Sequence, residues 1–383
     1  MNFLSASTRL RSLDLMRGVV CVLMAIDHVR VYSGIPAGGP TPGIFFTRWV
    51  THFVAPAFCL LAGASAYLLG RKLRDAGALQ RFLVTRGLFL VLLEVTLIRF
   101  TWTFHFDYST FVLAGVIWML GWCMVLLAAF VRLQTRTVAS LGLAIAAGQQ
   151  VFAIVPRLVP EGARPGFGRF WEFIYSSGLE GMPGMEVLYV IVPWIGVMMA
   201  GYGFGRVMEW DDAARRRFCL RVGIGATVLF VVVAGALALP AGGDNAPPFF
   251  VRLLNQQKYP ASQLFLLMTL GPMIALLPAA ERARGWFADA FVVIGRVPLF
   301  YYLLHIPAIH LAALAVNLLR SGMTQSGWYD TAPYVGGIPP DERWSLPLLY
   351  LVFTIVVAGI LYPACRWYAQ VKVRRRAWWL QYV

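Results

Sequence analysis

Charge is scarce in this chain. Only 13% of its 383 residues are charged, about half the share in a soluble globular protein, which excludes an ordinary soluble domain. Lysine is scarcer still, occurring only at Lys72, Lys258 and Lys372, so the net charge of +15 rests almost wholly on arginine. The five cysteines, Cys21, Cys59, Cys123, Cys219 and Cys365, form no CxxC pair. They read as small packing residues, neither disulfides nor metal ligands. No HExxH or HxxxH spacing occurs among the five histidines, so no metal is expected. No convincing internal repeat is visible, which counts against the common transporter plans. No A-x-A cleavage pattern follows the first apolar run, so that run reads as a permanent span and not as a removable signal.

What the chain has instead is apolar length. It is 59% hydrophobic with a mean hydropathy of +0.68, and runs of about 20 apolar residues recur throughout. The expectation is an all-α, polytopic membrane helix bundle, a single integral membrane domain over residues 1–383. Ten spans are placed at about 12–33, 47–70, 82–101, 110–131, 137–156, 186–206, 219–240, 261–280, 289–312 and 346–367, with an eleventh or re-entrant segment open within 313–345. Alternate connections carry most of the basic residues: Arg9 and Arg11 before the first span, Arg71 to Arg86 after the second, Arg206 to Arg221 after the sixth, and Arg366 to Arg376 in the tail. The split is 21 basic residues against 7, which puts both termini in the cytoplasm. Basic cytoplasmic loops also explain the net charge without nucleic acid, which is not expected as a partner.

The outer loops at 157–185, 241–260 and 313–345 are rich in Gly, Pro and aromatics, as in FGRFWEFIYSSGLEGMPG (167–184) and YDTAPYVGGIPPDERW (329–344). Such loops suggest a structured cap over an external site. The tail VRRRAWWLQYV (373–383), with Trp378 and Trp379, suits an anchor at the cytoplasmic interface.

The first span, RGVVCVLMAIDHVR (17–30), carries Arg17 at one end and Asp27-His28 at the other. Eleven residues at 100° each bring Arg17 and His28 onto one face, separated by a rise of roughly 16 Å. Asp14, Cys21 and Met24 fall near the same stripe, and Asp14 can pair with Arg17 at i, i+3. Other polar groups collect at the same outer level: Arg48 and His52, His105 and Asp107, His305 and His310. All five histidines thus fall in the outer half. Intramembrane ionisable groups are costly and mark function by default, although any one histidine could equally be a satisfied packing residue. Glu94 and Arg99 form a second polar pair that does not share a face, and Glu94 needs a partner on another helix. Arg296 either binds a phosphate or snorkels to head groups.

Three stretches, RSLDLMRGVVCVLMAIDHVR (11–30), THFVAPAFCLLAGASAYLLGRKL (51–73) and GRVPLFYYLLHIPAIH (295–310), resemble the bacterial membrane proteins related to heparan-α-glucosaminide N-acetyltransferase. The spacing from Arg17 to His28 also resembles the Arg/His pattern of wider transmembrane acyltransferases. The resemblance implies an acyltransferase of the bacterial inner membrane. It would move an acetyl (acyl) group from cytoplasmic acetyl-CoA, as donor substrate, to an amino sugar or glycan on the periplasmic side. A histidine would be base or acyl carrier. Lysosomal members use a His near the loop after the first span, and here VYSGIPAGGPTPGIFF (31–46) has none. The catalytic expectation therefore moves to His28 with Asp27. His52, Arg48, His105, Asp107, Glu94 and His305 are further catalytic or substrate-binding candidates, and Arg17, Asp14 and Arg296 are those for acyl-CoA. The expected partners are the lipid bilayer, acyl-CoA, the glycan or amino-sugar acceptor, and a second copy as a homodimer.

The competing reading is a secondary transporter in which the same His, Asp and Glu relay protons or bind substrate. A non-catalytic scaffold is the third. The orientation is testable on its own: a single cysteine introduced at Arg74 should be protected from an impermeant reagent in intact cells, and one at Val335 accessible. The reverse labelling would overturn every assignment of side.

Overall fold

The computed structural model describes residues 11–38, 41–109, 112–176, 184–239, 246–334 and 337–375. Arg9, Val335, Arg376, Trp378 and Trp379, and parts of the three outer loops, lie outside the described residues.

In chain order the helices are α1 (Arg11–Tyr32), α2 (Pro42–Trp49), α3 (Val54–Leu73), α4 (Ala76–Leu93) and α5 (Arg99–Thr103). After strand β1 (Val112–Ala114) come α6 (Val116–Phe130), α7 (Thr135–Gly148) and α8 (Arg164–Ile174). Strand β2 (Met185–Val187) precedes α9 (Ile191–Val207), α10 (Asp212–Ala238), α11 (Phe249–Leu254) and α12 (Gln263–Arg282). The chain ends in α13 (Trp286–Gly295), α14 (Pro298–Ser321), α15 (Leu346–Thr354) and α16 (Tyr362–Arg374). Among the described residues, five stretches are long and apolar enough to cross a membrane: Pro42–Leu73, Asp212–Ala238, Gln263–Arg282, Pro298–Ser321 and Leu346–Arg374. The protein is thus a mostly helical membrane protein. Helix α1 has the length to span, at 22 residues. It falls outside those five because Arg11, Asp14, Arg17, Asp27 and Arg30 interrupt its apolar character.

Two compact units are built from discontinuous chain. The first comprises Met1–Val54, Phe100–Phe106 and Leu276–Val383. Its centre is α1, which packs on α13, α14 and α15. Backbones meet where α1 crosses α13. A Cβ built on Gly18 would lie 1.8 Å from the Phe291 carbonyl oxygen, and one on Gly295 would lie 1.7 Å from that of Asp14. Only glycine permits so close an approach, the usual way helices gain contact inside lipid.

One expectation changes in this unit, and one question left open is narrowed. The apolar run 289–312 reads as one span, but the helix breaks at Arg296 and Val297. Pro298 at the start of α14 has no N–H to continue the helix, and it disfavours helical geometry at Val297. That residue sits at φ −133° and ψ 51°. Segment 313–345 holds the end of α14 and a single 3-10 turn, Ser326–Tyr329, and no second long helix among its described residues.

The second unit comprises Ala55–Arg99 and Asp107–Ala275. Its helices pair as α4 on α6 and α7 on α9. At the first pair Gly87 and Gly121 face each other, each Cβ position 2.5 Å from the other's carbonyl oxygen. The all-α expectation is amended by β1 and β2, three residues each, which pair in parallel with Leu113 opposite Glu186. The cap expected over 157–185 includes two 3-10 turns and the amphipathic α8. Tyr175, Val190 and Val192 bury themselves against Phe152, Trp171 and Ile174 there.

Replacing Gly295 by Ala should destabilise the protein by about 1–3 kcal/mol, the usual cost of overpacking. It should be seen as a fall in the melting temperature of the detergent-solubilised protein. Gly225→Ala, with nothing within 4 Å of its Cβ position, should leave the melt unchanged.

Candidate active site

Because α1 is one unbroken helix from Arg11 to Tyr32, its stripe is real: Arg17 near one end, His28 near the other. At the first end the Arg17 guanidinium donates to Asp14 at 2.9 Å. Asp14 is buried and Arg17 half-buried, so the pair is a charge-assisted contact within the helix. The carbonyl of Asp14 is the group on which Gly295 seats. Arg296, exposed, follows directly in the chain. The three residues expected to meet acyl-CoA therefore gather at one end of α1.

At the other end, His28 Nδ1 lies 2.7 Å from His305 Nε2, and the rings stack with centroids 4.8 Å apart. His305 Nδ1 lies 2.6 Å from the carbonyl oxygen of Tyr302. A carbonyl can only accept, so His305 carries its proton on Nδ1. Neutral His305 then presents a lone pair at Nε2, which accepts the Nδ1–H of His28. Neutral His28 is left with Nε2 as its basic nitrogen. His305 is fully buried and His28 half-buried. Tyr301, one turn before His305, has its buried hydroxyl without a hydrogen-bond partner among the described residues.

An aromatic frame surrounds this pair. Trp102 meets His28 edge-on at 4.9 Å and stacks on Tyr32 at 5.8 Å. The Tyr32 hydroxyl donates to the Trp102 carbonyl at 2.5 Å. His310 stacks on Phe104 at 4.1 Å and contacts Tyr32 and Tyr329. Burial pushes the Tyr329 hydroxyl up to about 12. The Asn317 amide donates to its oxygen at 2.9 Å.

The remaining candidates have settings of their own. Asp27 holds Arg30 at 2.9 Å, and it is His305 that meets His28 Nδ1. His52 is buried on the 3-10 turn Val50–Phe53, with Arg48 half-buried just before it. His105 is exposed after Phe104, a residue at φ 51°. In the second unit, the Asp107 side chain accepts from the Ser109 N–H at 2.9 Å. Glu94 there is buried and has its partner on another helix: its carboxylate accepts from the backbone N–H of Ile117 at 2.9 Å and of Trp118 at 3.2 Å. It thus caps the start of α6, where a negative charge is favoured by the helix dipole. Gly115 leaves room for it, since a Cβ there would lie 2.6 Å from Glu94 Oε1. Arg99 donates to the Asp107 carbonyl at 2.9 Å. Among the described residues no three His, Cys, Asp or Glu side chains come together to hold a metal ion.

Sequence reasoning misses Trp102, Tyr32 and the Tyr302 carbonyl. The one available signal is that Trp102 lies beside His105 in the short outer loop and Tyr302 one turn before His305.

A membrane helix bundle with a paired-histidine centre and a charged pair on the same helix is the class these features define. Residues 9–241 match the family described as heparan-alpha-glucosaminide N-acetyltransferase, catalytic. The chain belongs to that family, which makes it a transmembrane protein of acetyltransferase type. The matched region includes Asp14, Arg17, Asp27, His28, Arg48, His52, Glu94, His105 and Asp107, and stops short of Arg296 and His305. None of the curated proteins matches the chain.

The tautomer assignment is checkable. In spectra of protein with 15N-labelled histidine, neutral His28 should show a protonated Nδ1 and an unprotonated Nε2. Replacing His305 with Ala should let the proton redistribute to Nε2. Finding neutral His28 protonated at Nε2 in the wild type would refute the assignment.

Proposed function

We propose that this protein is a membrane-embedded acyltransferase. It takes an acetyl (acyl) group from cytoplasmic acyl-CoA and passes it to an amino-sugar or glycan acceptor on the periplasmic side of the bacterial inner membrane, in a bundle of about ten spans with both termini in the cytoplasm. The observation that carries the reading is the His28–His305 pair on the helix that also bears Asp14 and Arg17. Family membership supports the reaction type, and the 21-to-7 basic asymmetry supports the sidedness.

The chemistry asked of His28 is proton transfer. Its Nε2 removes the proton from the acceptor's N–H or O–H as that nitrogen or oxygen attacks the thioester carbonyl. The carbon–sulfur bond then breaks, the acyl group stays on the acceptor, and the CoA thiolate leaves and takes up the proton. A transient acyl-imidazole would use the same Nε2 as nucleophile. His305 is a positioning residue, keeping the reactive nitrogen of His28 unprotonated and its ring fixed. Arg17 and Arg296 suit the phosphates of the donor, because a guanidinium binds phosphate bidentately; Asp14 holds Arg17 in place.

Purified protein should turn over acetyl-CoA. His28→Ala should fold and still bind acetyl-CoA, yet lose transfer by a factor on the order of 10² to 10⁴, and His28→Gln should not rescue it. His305→Gln, which keeps an acceptor for the Nδ1–H of His28, should be less impaired than His305→Ala, whose loss should be about tenfold. Normal turnover in His28→Ala would sink the proposal. Proton-coupled uptake without any thioester cleavage by the wild type would favour the transporter reading.

Arg17→Ala and Arg296→Ala should each weaken acetyl-CoA binding by about tenfold, the worth of one charge-assisted hydrogen bond. Unchanged affinity in both, by calorimetry in detergent, would remove them from the donor site.

A further inference from the structure

Within the second unit a cavity of about 250 Å³ opens where α3 ends and α4 and α7 begin. Tyr67, Arg71, Arg74, Thr135 and Tyr202 are among the residues that line it. Arg71 does not swing freely. Its Nε donates to Glu209 Oε1 at 3.0 Å, while the Tyr67 hydroxyl donates to Glu209 Oε2 at 2.7 Å. Burial pushes the Glu209 carboxyl up, but hydrogen bonds from Tyr67 and Arg71 and the charges of Arg71 and Arg206 outweigh it and hold it below its usual range. It is therefore a firm anion, and it leaves the Nη donors of Arg71 for another acceptor. Arg74 is different: among the described residues it has no ion-pair partner. It sits at φ 56° at the end of α3, a left-handed position that glycine normally takes. The carboxylate on the cavity wall, Asp75, accepts from the Gly77 N–H at 2.8 Å. The amino ends of α4 and α7, at Ala76 and Thr135, add partial positive charge to the wall.

Two arginines, one pre-aimed and one without a partner, facing a small polar cavity are the chemistry of phosphate recognition. We propose that this cavity is a phosphate-ester site. Arg71 and Arg74 are its ligands, and Glu209 and Tyr67 position Arg71. Two sources carry that chemistry: a soluble nucleotide bearing phosphate esters, and the head group of an anionic phospholipid; neither rests on the function proposed above.

The probe for the first source is adenosine 3′,5′-bisphosphate, titrated calorimetrically into protein in neutral detergent. The probe for the second is thermal stability in nanodiscs of phosphatidylglycerol compared with phosphatidylcholine. The variants are Arg74→Ala, exposed and so expected to fold, and Glu209→Gln, with Arg282→Ala as a control that removes the same charge from an exposed site in the other unit. If the nucleotide is the ligand, the wild type binds the bisphosphate, Arg74→Ala weakens binding by about tenfold or more, Glu209→Gln weakens it less, and the control does not. If the lipid is the ligand, the bisphosphate does not bind. Phosphatidylglycerol then stabilises the wild type and the control but not Arg74→Ala. Equal losses in Arg74→Ala and the control would reduce the effect to net charge and overturn the proposal, as would no response to either probe. Failure of acetyl-CoA turnover beside a phosphate response that depends on Arg74 would sink the acyltransferase reading and leave this site standing.

Discussion

The contact between Gly18 on α1 and Gly295 on α13 underlies the placement of the charged groups at that end of the first unit. Lipid is as apolar as leucine, so two helices in a bilayer have no hydrophobic reason to prefer each other, and contact must come from close packing of their surfaces. Here the surfaces are bare backbone, with the Asp14 carbonyl where a Gly295 side chain would otherwise stand. That closeness fixes the start of α1 against the end of α13, and with it Asp14, Arg17 and the residue that follows Gly295. The break at Val297 and Pro298 then lets α14 leave in its own direction and bring His305 to His28.

A second constraint is that buried polar groups must find partners where water is absent. The protein meets it largely with backbone. Glu94 satisfies the first N–H groups of α6, His305 ends on the Tyr302 carbonyl, and the Tyr32 hydroxyl ends on that of Trp102. Each of these bonds uses a group that secondary structure leaves unmatched or can share, so each ties a side chain to the main chain. The same rule separates the candidates by role. Glu94 is occupied as a cap, whereas His28 is held at Nδ1 by another side chain, His305.

The sequence makes legible what depends on a single helix. The 100° rotation per residue puts Arg17 and His28 on one stripe, and the i, i+3 spacing pairs Asp14 with Arg17. Burial of Glu94 demands a partner on another helix, although nothing in the pattern says that the partner is a run of backbone N–H groups. Contacts across long separations are not legible. His28 and His305 are 277 residues apart, and both read only as outer-half histidines until the fold joins them. The break inside 289–312 is hidden because hydropathy continues across it, while the cause, a proline at the first position of α14, is a local backbone effect. The local pairing of Asp27 is legible in the same way as that of Asp14, since its neighbour at i, i+3, Arg30, lies 2.9 Å from the carboxylate.

The paired imidazoles also decide what the site cannot do. A proton accepted at His28 Nε2 can release the Nδ1 proton towards His305, whose own Nδ1–H points at the Tyr302 carbonyl. An amide oxygen passes no proton onward. Along this line of bonds the relay therefore ends at the Tyr302 carbonyl. For an acyltransferase working across an energised membrane, as proposed above, such an ending would let the site borrow a proton for each turnover without passing it along this line of bonds.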